Sequence, residues 1–221
     1  MLLAQGRVAV DGTTASVGDR VDPQTAVVMI DGVRLPLDAE LVTWLVYKPV
    51  GVITTMDDPQ GRPTVRSIVP PEPVTNPVGR LDLHSEGLLL MTNDGDLTLA
   101  VTHPRYGVPK TYQVLVHTTV SDAVVAKLVS GVMLEDGLAS ARSARILDES
   151  RGRTIIELVL TEGRKREIRR MFDTFDLPIE RLVRTAIGDI VDRTLTPGSY
   201  RALTIEETRM LYRTAGVEGN R

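Results

Sequence analysis

Three groups of residues in this 221-residue chain have side chains suited to chemistry. The first is Arg164, Lys165, Arg166, Arg169 and Arg170, five basic residues within seven positions, following a Glu162-Gly163 turn. At about 100° per residue, a helix over 165–175 would align Ile168, Met171, Phe172 and Phe175 as an apolar stripe and fan Lys165, Arg166, Arg169 and Arg170 out beside it. A guanidinium fork suits phosphate or carboxylate better than an ammonium does, so the bias to arginine favours an anion-binding face, with a solvated surface helix as the plain alternative. The second group is the charged loop Arg80-Leu81-Asp82 between Gly79 and Gly87, ahead of the apolar run 88–91. Such a run is buried on both faces and gives Asp82 and Arg80 the rigid support that a catalytic carboxylate needs, although an aspartate before a strand also serves simply as a turn residue. Third, Tyr112 shares one face of the alternating stretch 111–116 with Val114 and Val116, which reads first as a core tyrosine.

Strand patterns lie at 42–47, 51–55, 88–92, 111–117, 143–147 and 154–160, and helical patterns at 96–102, 121–130, 165–175 and 204–212. Ser121 or Asp122 could cap the second helix, and Thr204 with Glu207 three residues on resembles a capping box. Strands and helices come in clusters rather than strict alternation, which predicts an α+β domain on a mixed, largely antiparallel sheet. Before it, 7–12 and 27–32 read as two short strands, each running into an Asp-Gly turn, and 36–40 as a linker. The division expected is a small N-terminal module over 1–38 and a larger domain over 39–221.

Composition narrows the chemistry. With 42% hydrophobic and 25% charged residues the chain can bury a core. Without cysteine there is no disulfide, thiolate metal site or thiol nucleophile. His84, His103 and His117 have no metal-ligand spacing, so no metal is expected. No apolar run reaches the ~18 residues that span a bilayer, and the N-terminus is unlike a signal peptide; a cytoplasmic location is the expectation. A net charge of −3 means that any polyanion must be met by a local cluster rather than by the whole molecule.

Taken in order, the motifs resemble a known family. Gly79-Arg80-Leu81-Asp82, Ser85-Glu86-Gly87 with the run to Gly95, Thr102-His103-Pro104, Lys110-Thr111-Tyr112 and Glu162 to Met171 are similar to the ribosomal RNA pseudouridine synthases of the RsuA/RluB type. Lys48-Pro49-Val50-Gly51, Asp58 to Thr64 and Leu182 to Gly188 extend the likeness. The resemblance implies a pseudouridine-synthase catalytic domain that isomerises a uridine of ribosomal RNA, with Asp82 as catalytic carboxylate, Arg169 as its positive partner and Tyr112 as the tyrosine stacking on the flipped base. Arg80 would hold the flipped nucleotide, and Arg164, Lys165, Arg166 and Arg170 would meet phosphates. Since the isomerisation neither gains nor loses atoms or electrons, no cofactor is implied. Arg166 is closer to the large-subunit members than to the small-subunit one, which tends to have His there. Partners implied are ribosomal RNA or a partly assembled subunit, and a monomer is the expected state.

Residues 5–35 resemble the second half of the ribosomal-protein-S-four type of RNA-binding module. The family usually carries a two-helix segment ahead of it that does not precede Leu3 here; either that half is lost or the start lies upstream. Ser85 stands where the family usually has Thr and keeps the hydroxyl. Two rival readings are an RNA-binding ribosome-assembly factor that retains the fold without the chemistry, and a metal-dependent nuclease using Asp82, Asp94 and Asp96.

Overall fold

A computed structural model describes residues 2–22, 26–35 and 41–217. The expected linker at 36–40, with the domain boundary inside it, lies outside the described residues. Four short strands, β1 (Val8–Val10), β2 (Thr13–Thr14), β3 (Val28–Ile30) and β4 (Val33–Leu35), form an antiparallel sheet in the order β2-β1-β3-β4. Both expected Asp-Gly turns are present: Asp11 and Gly12 have φ of 49° and 81°, Asp31 and Gly32 53° and 77°, the positive pairs that a two-residue hairpin turn demands.

The main sheet holds β5 (Thr43–Lys48), β6 (Asn76–Val78), β7 (Glu86–Thr92), β8 (Lys110–Val116), β11 (Ser143–Ser150), β12 (Arg153–Leu160), β13 (Ile179–Ile187), β14 (Ile190–Val191) and β15 (Tyr200–Ala202). Its order is β11-β12-β8-β13-β7-β5-β15, with β14 beside β13 and β6 beside β7. Only β13 and β7 run parallel; every other pairing is antiparallel. A separate hairpin, β9 (Val132–Leu134) with β10 (Gly137–Ala139), and four helices, α1 (Gly95–Thr102), α2 (Asp122–Ser130), α3 (Glu167–Asp173) and α4 (Ile205–Thr214), complete the α+β arrangement.

All seven residues of β7 are buried. Leu88 and Leu90 face a core shared with Leu45, Leu97 and Leu211, while Leu89 and Met91 face Val46 and Val65, so the strand is covered on both sides. A third core, beneath α3, gathers Val114, Ile156, Leu158, Met171 and Phe172. The N-terminal sheet is fastened to this body by Val33, which joins the first core, and by Arg209 of α4, which donates to the Asp31 carboxylate and the Ile30 carbonyl, both at 3.1 Å.

Where sequence and structure part, backbone geometry is the reason. The stretch 51–55 is a loop with a single bridge, Ile53 to Thr64; Gly51 has a φ of 85° and its N–H turns away to the Leu83 carbonyl. The basic helix is shorter than predicted. Arg166 sits at a φ of 52°, a left-handed conformation that no helix interior accepts, so α3 begins at Glu167 and 164–166 form a loop. Ser121 precedes α2 but its side chain makes no cap bond, whereas the Thr204–Glu207 capping box is formed in full. The nine-residue β13 has no counterpart among the predicted strands, because its buried positions Leu182, Arg184 and Ala186 include an arginine and a valine stands half-buried between them, which breaks the apolar alternation.

Candidate active site

One row across the main sheet brings distant residues together. Lys48 of β5 pairs with Gly87 of β7, Gly87 with Arg184 of β13, and Arg184 with Tyr112 of β8. Neighbours in a row share a face. Over that face lies a cavity of about 300 Å³, walled by the loop 78–85, by β8 and β13, and by residues 162–169.

The loop carrying Asp82 is clamped along its backbone. Thr54, itself buried, donates its hydroxyl to the Leu81 carbonyl at 2.7 Å and accepts the Leu81 N–H at 3.2 Å. Gly51 N–H reaches the Leu83 carbonyl at 2.9 Å, and Ser85 N–H closes a turn on the Asp82 carbonyl at 3.0 Å. The segment expected as a strand therefore serves as the brace of this loop. Leu81 anchors it in the same core as Tyr112 and Ile168, leaving Asp82 half-buried on the cavity wall.

Tyr112 is both core residue and cavity wall: it is 9% exposed, packs with Val114 and Val116, and borders the cavity opposite Arg184. Arg184, 4% exposed, donates from Nε to the Leu88 carbonyl at 2.6 Å. Gly87 makes this closeness possible. A Cβ there would stand 2.2 Å from the Arg184 carbonyl oxygen, and its φ of 107° suits only glycine.

Arg169, on α3, also borders the cavity, but its Nη2 donates to the His84 carbonyl at 2.8 Å. Among the described residues no ion pair joins it to Asp82; the expected contact is an interaction through space. Burial lowers the Arg169 pKa, with Arg166 adding to that, and Asp82 opposes the fall. The charge of Asp82 also acts on a second cation. Lys48 has no solvent exposure, donates to the Pro49 carbonyl at 2.8 Å, and is pulled by burial to a pKa of about 8 against the opposing charges of Asp82 and Glu86. Lys110, on the cavity wall, is likewise lowered to about 8 by burial and then by Arg184.

The basic cluster divides in two. Arg80, Lys165 and Arg166 are exposed on the cavity rim and, among the described residues, have no hydrogen-bond or ion-pair partner. Arg164 lines the cavity yet is engaged by the Glu162 carboxylate at 3.2 Å and the Leu138 carbonyl at 2.8 Å. Arg170 does not border the cavity; its two terminal nitrogens hold Asp136 at 2.8 and 3.0 Å. These two arginines dock the β9–β10 hairpin rather than fan out beside a helix. Glu167, 3% exposed, accepts the Arg164 N–H at 3.1 Å, and burial raises its pKa to about 7 despite that bond. Among the described residues no set of three His, Cys, Asp or Glu side chains is grouped to hold a metal.

Lys48, Arg184, Lys110 and Ser85 are the residues that reading for chemistry passed over. Each lies in a quoted motif, and the signal was there to use: a lysine ending the otherwise uncharged stretch 43–47, and an arginine inside 182–187.

A half-buried carboxylate and a buried tyrosine thus share one cavity with several cations, the layout of an active site. Residues 42–174 match the family of RNA pseudouridylate synthases. The chain is 41% identical over 98% of its length to an uncharacterized RNA pseudouridine synthase of Mycobacterium leprae, 86% of which is covered. It is 36% identical to the ribosomal large subunit pseudouridine synthase B of Haemophilus influenzae, over 98% of this chain and 63% of that protein. A crystal structure of a pseudouridylate synthase superposes with a TM-score of 0.70 at 27% identity, covering 95% of this chain and 90% of that one. The chain belongs to the RNA pseudouridine synthase family, and the mixed sheet described above is that family's fold.

Proposed function

We propose that this RNA pseudouridine synthase modifies a uridine of ribosomal RNA, of the large subunit, with Asp82 as the catalytic carboxylate. The observation that carries the reading is the convergence of Asp82, Tyr112 and Arg169 on one cavity from three separate stretches of chain. The N1–C1′ bond of uridine breaks, the ring turns, C5 bonds to C1′, the C5 proton leaves and N1 gains one, so atoms and electrons balance without a cofactor. Asp82, as nucleophile or as base, starts that exchange. The positive charges of Lys48 and Arg169 both interact with the charge of Asp82. Tyr112 offers a ring to the flipped base. Arg80, Lys165 and Arg166, the unpaired cations of the rim, meet the phosphates.

The substrate class is supported by the relatives named for the large ribosomal subunit. The N-terminal sheet is read as an RNA-binding module of the ribosomal-protein-S-four type, joined to the catalytic domain by Arg209. With Arg7 engaged by Asp31, it adds little positive charge of its own, and a partly assembled subunit is a better substrate than free RNA. Ribosomal RNA and isolated subunits would be incubated with the wild type and with Asp82→Asn, then mapped for pseudouridine. The wild type should yield one new site in large-subunit RNA and the folded variant none. A variant that still forms pseudouridine would remove Asp82 from the chemistry; a wild type that modifies transfer RNA instead would overturn the substrate.

A further inference from the structure

Besides Nε of Arg169, two buried donors of the cavity wall have no hydrogen-bond partner among the described residues. They are Nη2 of Arg184 and the hydroxyl of Ser85, which is 1% exposed; both atoms are sealed from solvent. Both residues border the cavity that holds Asp82 and Tyr112. Buried donors are almost always satisfied, so an orphaned pair in a cavity wall points to an acceptor brought by a ligand. Arg184 also lies in a positively charged setting. It is felt by both Lys48 and Lys110, while Glu86, whose charge Lys48 also feels, is already held by Arg181 at 2.6 Å and Tyr47 at 3.0 Å.

We propose that Arg184 and Ser85 form the subsite for a carbonyl oxygen of the uracil ring and hold the ring while it is detached from the ribose. The inference rests on the reading of this cavity as the site of the Asp82 chemistry. When the N1–C1′ bond breaks, its electron pair stays on the ring and spreads over N1 and the two carbonyl oxygens. A guanidinium donor in a dry site stabilises that charge far better than solvent would. Arg184 makes no other use of Nη2, and its place directly across from Tyr112 sets the donor at the edge of a ring lying against the tyrosine. A phosphate is the wrong size for it: at 4% exposure Arg184 admits only the edge of a flat group, and the exposed rim cations receive the backbone.

The test crosses residue with substrate atom. Single-turnover release of tritium would be followed on 5-tritiated ribosomal RNA containing uridine, 2-thiouridine or 4-thiouridine, sulfur being a weak acceptor. The wild type should lose roughly tenfold in rate with one of the two thio substitutions, which identifies the oxygen. In Arg184→Met that penalty should shrink below twofold on a lower absolute rate, with RNA affinity unchanged, and in Ser85→Ala it should shrink partially. A wild type indifferent to both sulfurs, or variants that keep the full penalty, would overturn the proposal and leave Arg184 a purely structural residue. Should Arg184→Met fail to fold, Arg184→Lys and Ser85→Ala decide by the same ratio. Asp82→Asn is run alongside: its continued activity would sink the reading of the site itself, whatever the thio ratios show.

Discussion

In Gly87→Ala the new methyl group would stand 2.2 Å from the carbonyl oxygen of Arg184 and 2.7 Å from its nitrogen. Both are backbone atoms of a neighbouring strand, so no side chain can swing aside. To reach even the tight end of real contacts, β7 and β13 must part by roughly 1 Å. The parallel ladder between them consists of only two residue pairs, Val183 with Glu86 and Arg184 with Gly87. Overpacking of this kind costs ~1–3 kcal/mol and a non-glycine residue at such a φ a further ~1–3 kcal/mol, giving about 2–6 kcal/mol in all. For a chain of this size the midpoint of thermal unfolding should fall by roughly 4–24 °C. Because Arg184 moves with β13, turnover should fall on the order of 10²-fold, the usual effect of a 1 Å misplacement at a reacting centre. Gly152→Ala is the matched control: its φ is 70°, but nothing lies within 4 Å of the added Cβ. Thermal unfolding followed by circular dichroism, with tritium release as the activity assay, would compare the two. If Gly87→Ala is no worse than Gly152→Ala in stability and in rate, the close approach of β13 to β7 does not position the site.

Two further outcomes follow from the charges. Lys48 titrates near 8 when folded against 10.5 when unfolded, so its buried ammonium costs stability that is fully felt below pH 8 and fades as pH rises from there toward 10.5. Asp82 loses that neighbouring charge over the same rise, so turnover should decline with a midpoint near 8 while the fold is not weakened by this group; Lys48→Met should abolish the limb, and its persistence would assign the limb elsewhere, Lys110 being the next candidate. For RNA binding, the double variant Lys165→Ala, Arg166→Ala should reduce the log-log salt slope by about 0.7–0.9 per lost phosphate contact, whereas Arg170→Ala should leave the slope unchanged and lower stability through the loss of Asp136. Fluorescence anisotropy across a salt series would measure both, and an equal drop in slope for Arg170→Ala would refute the division of the cluster.

Much of the fold was legible where one local rule acts alone. The alternation of Tyr112, Val114 and Val116 marks β8, the apolar run marks β7, and Thr204 with Glu207 marks the start of α4, each within a residue or two of the observed bounds. Legibility ended where a backbone irregularity intervenes. A buried arginine, Arg184, hides β13, and the left-handed Arg166 turns the first part of the expected basic helix into a loop, a conformation that helical periodicity has no means of registering. The strand expected at 51–55 failed for a different reason: its polar backbone groups satisfy the loop bearing Asp82 instead of a ladder.

The candidate site was legible as residue types and not as pairings. Asp82, Tyr112, Arg169 and the rim cations can be picked out along the chain, but nothing in linear spacing joins Lys48 to Gly87 or Tyr112 to Arg184, because those neighbours are made by strand order. The same limit applies to charge. Five basic residues in seven look interchangeable until their partners are known; Glu162, Glu167 and Asp136 then engage Arg164 and Arg170, and Arg169 turns to a carbonyl. Among the described residues only Lys165 and Arg166 of the five remain without a side-chain partner at the rim, where Arg80 also lies. In a chain of net charge −3 that is a small positive surface for RNA. The buried cations around Asp82 cannot add to it, since Lys48 and Arg184 are closed off from solvent and from a phosphate backbone. In the function proposed above, positive charge serves two separate ends: a few exposed groups attract the polyanion, and a buried set acts only on the nucleotide that has left the stack and entered the cavity.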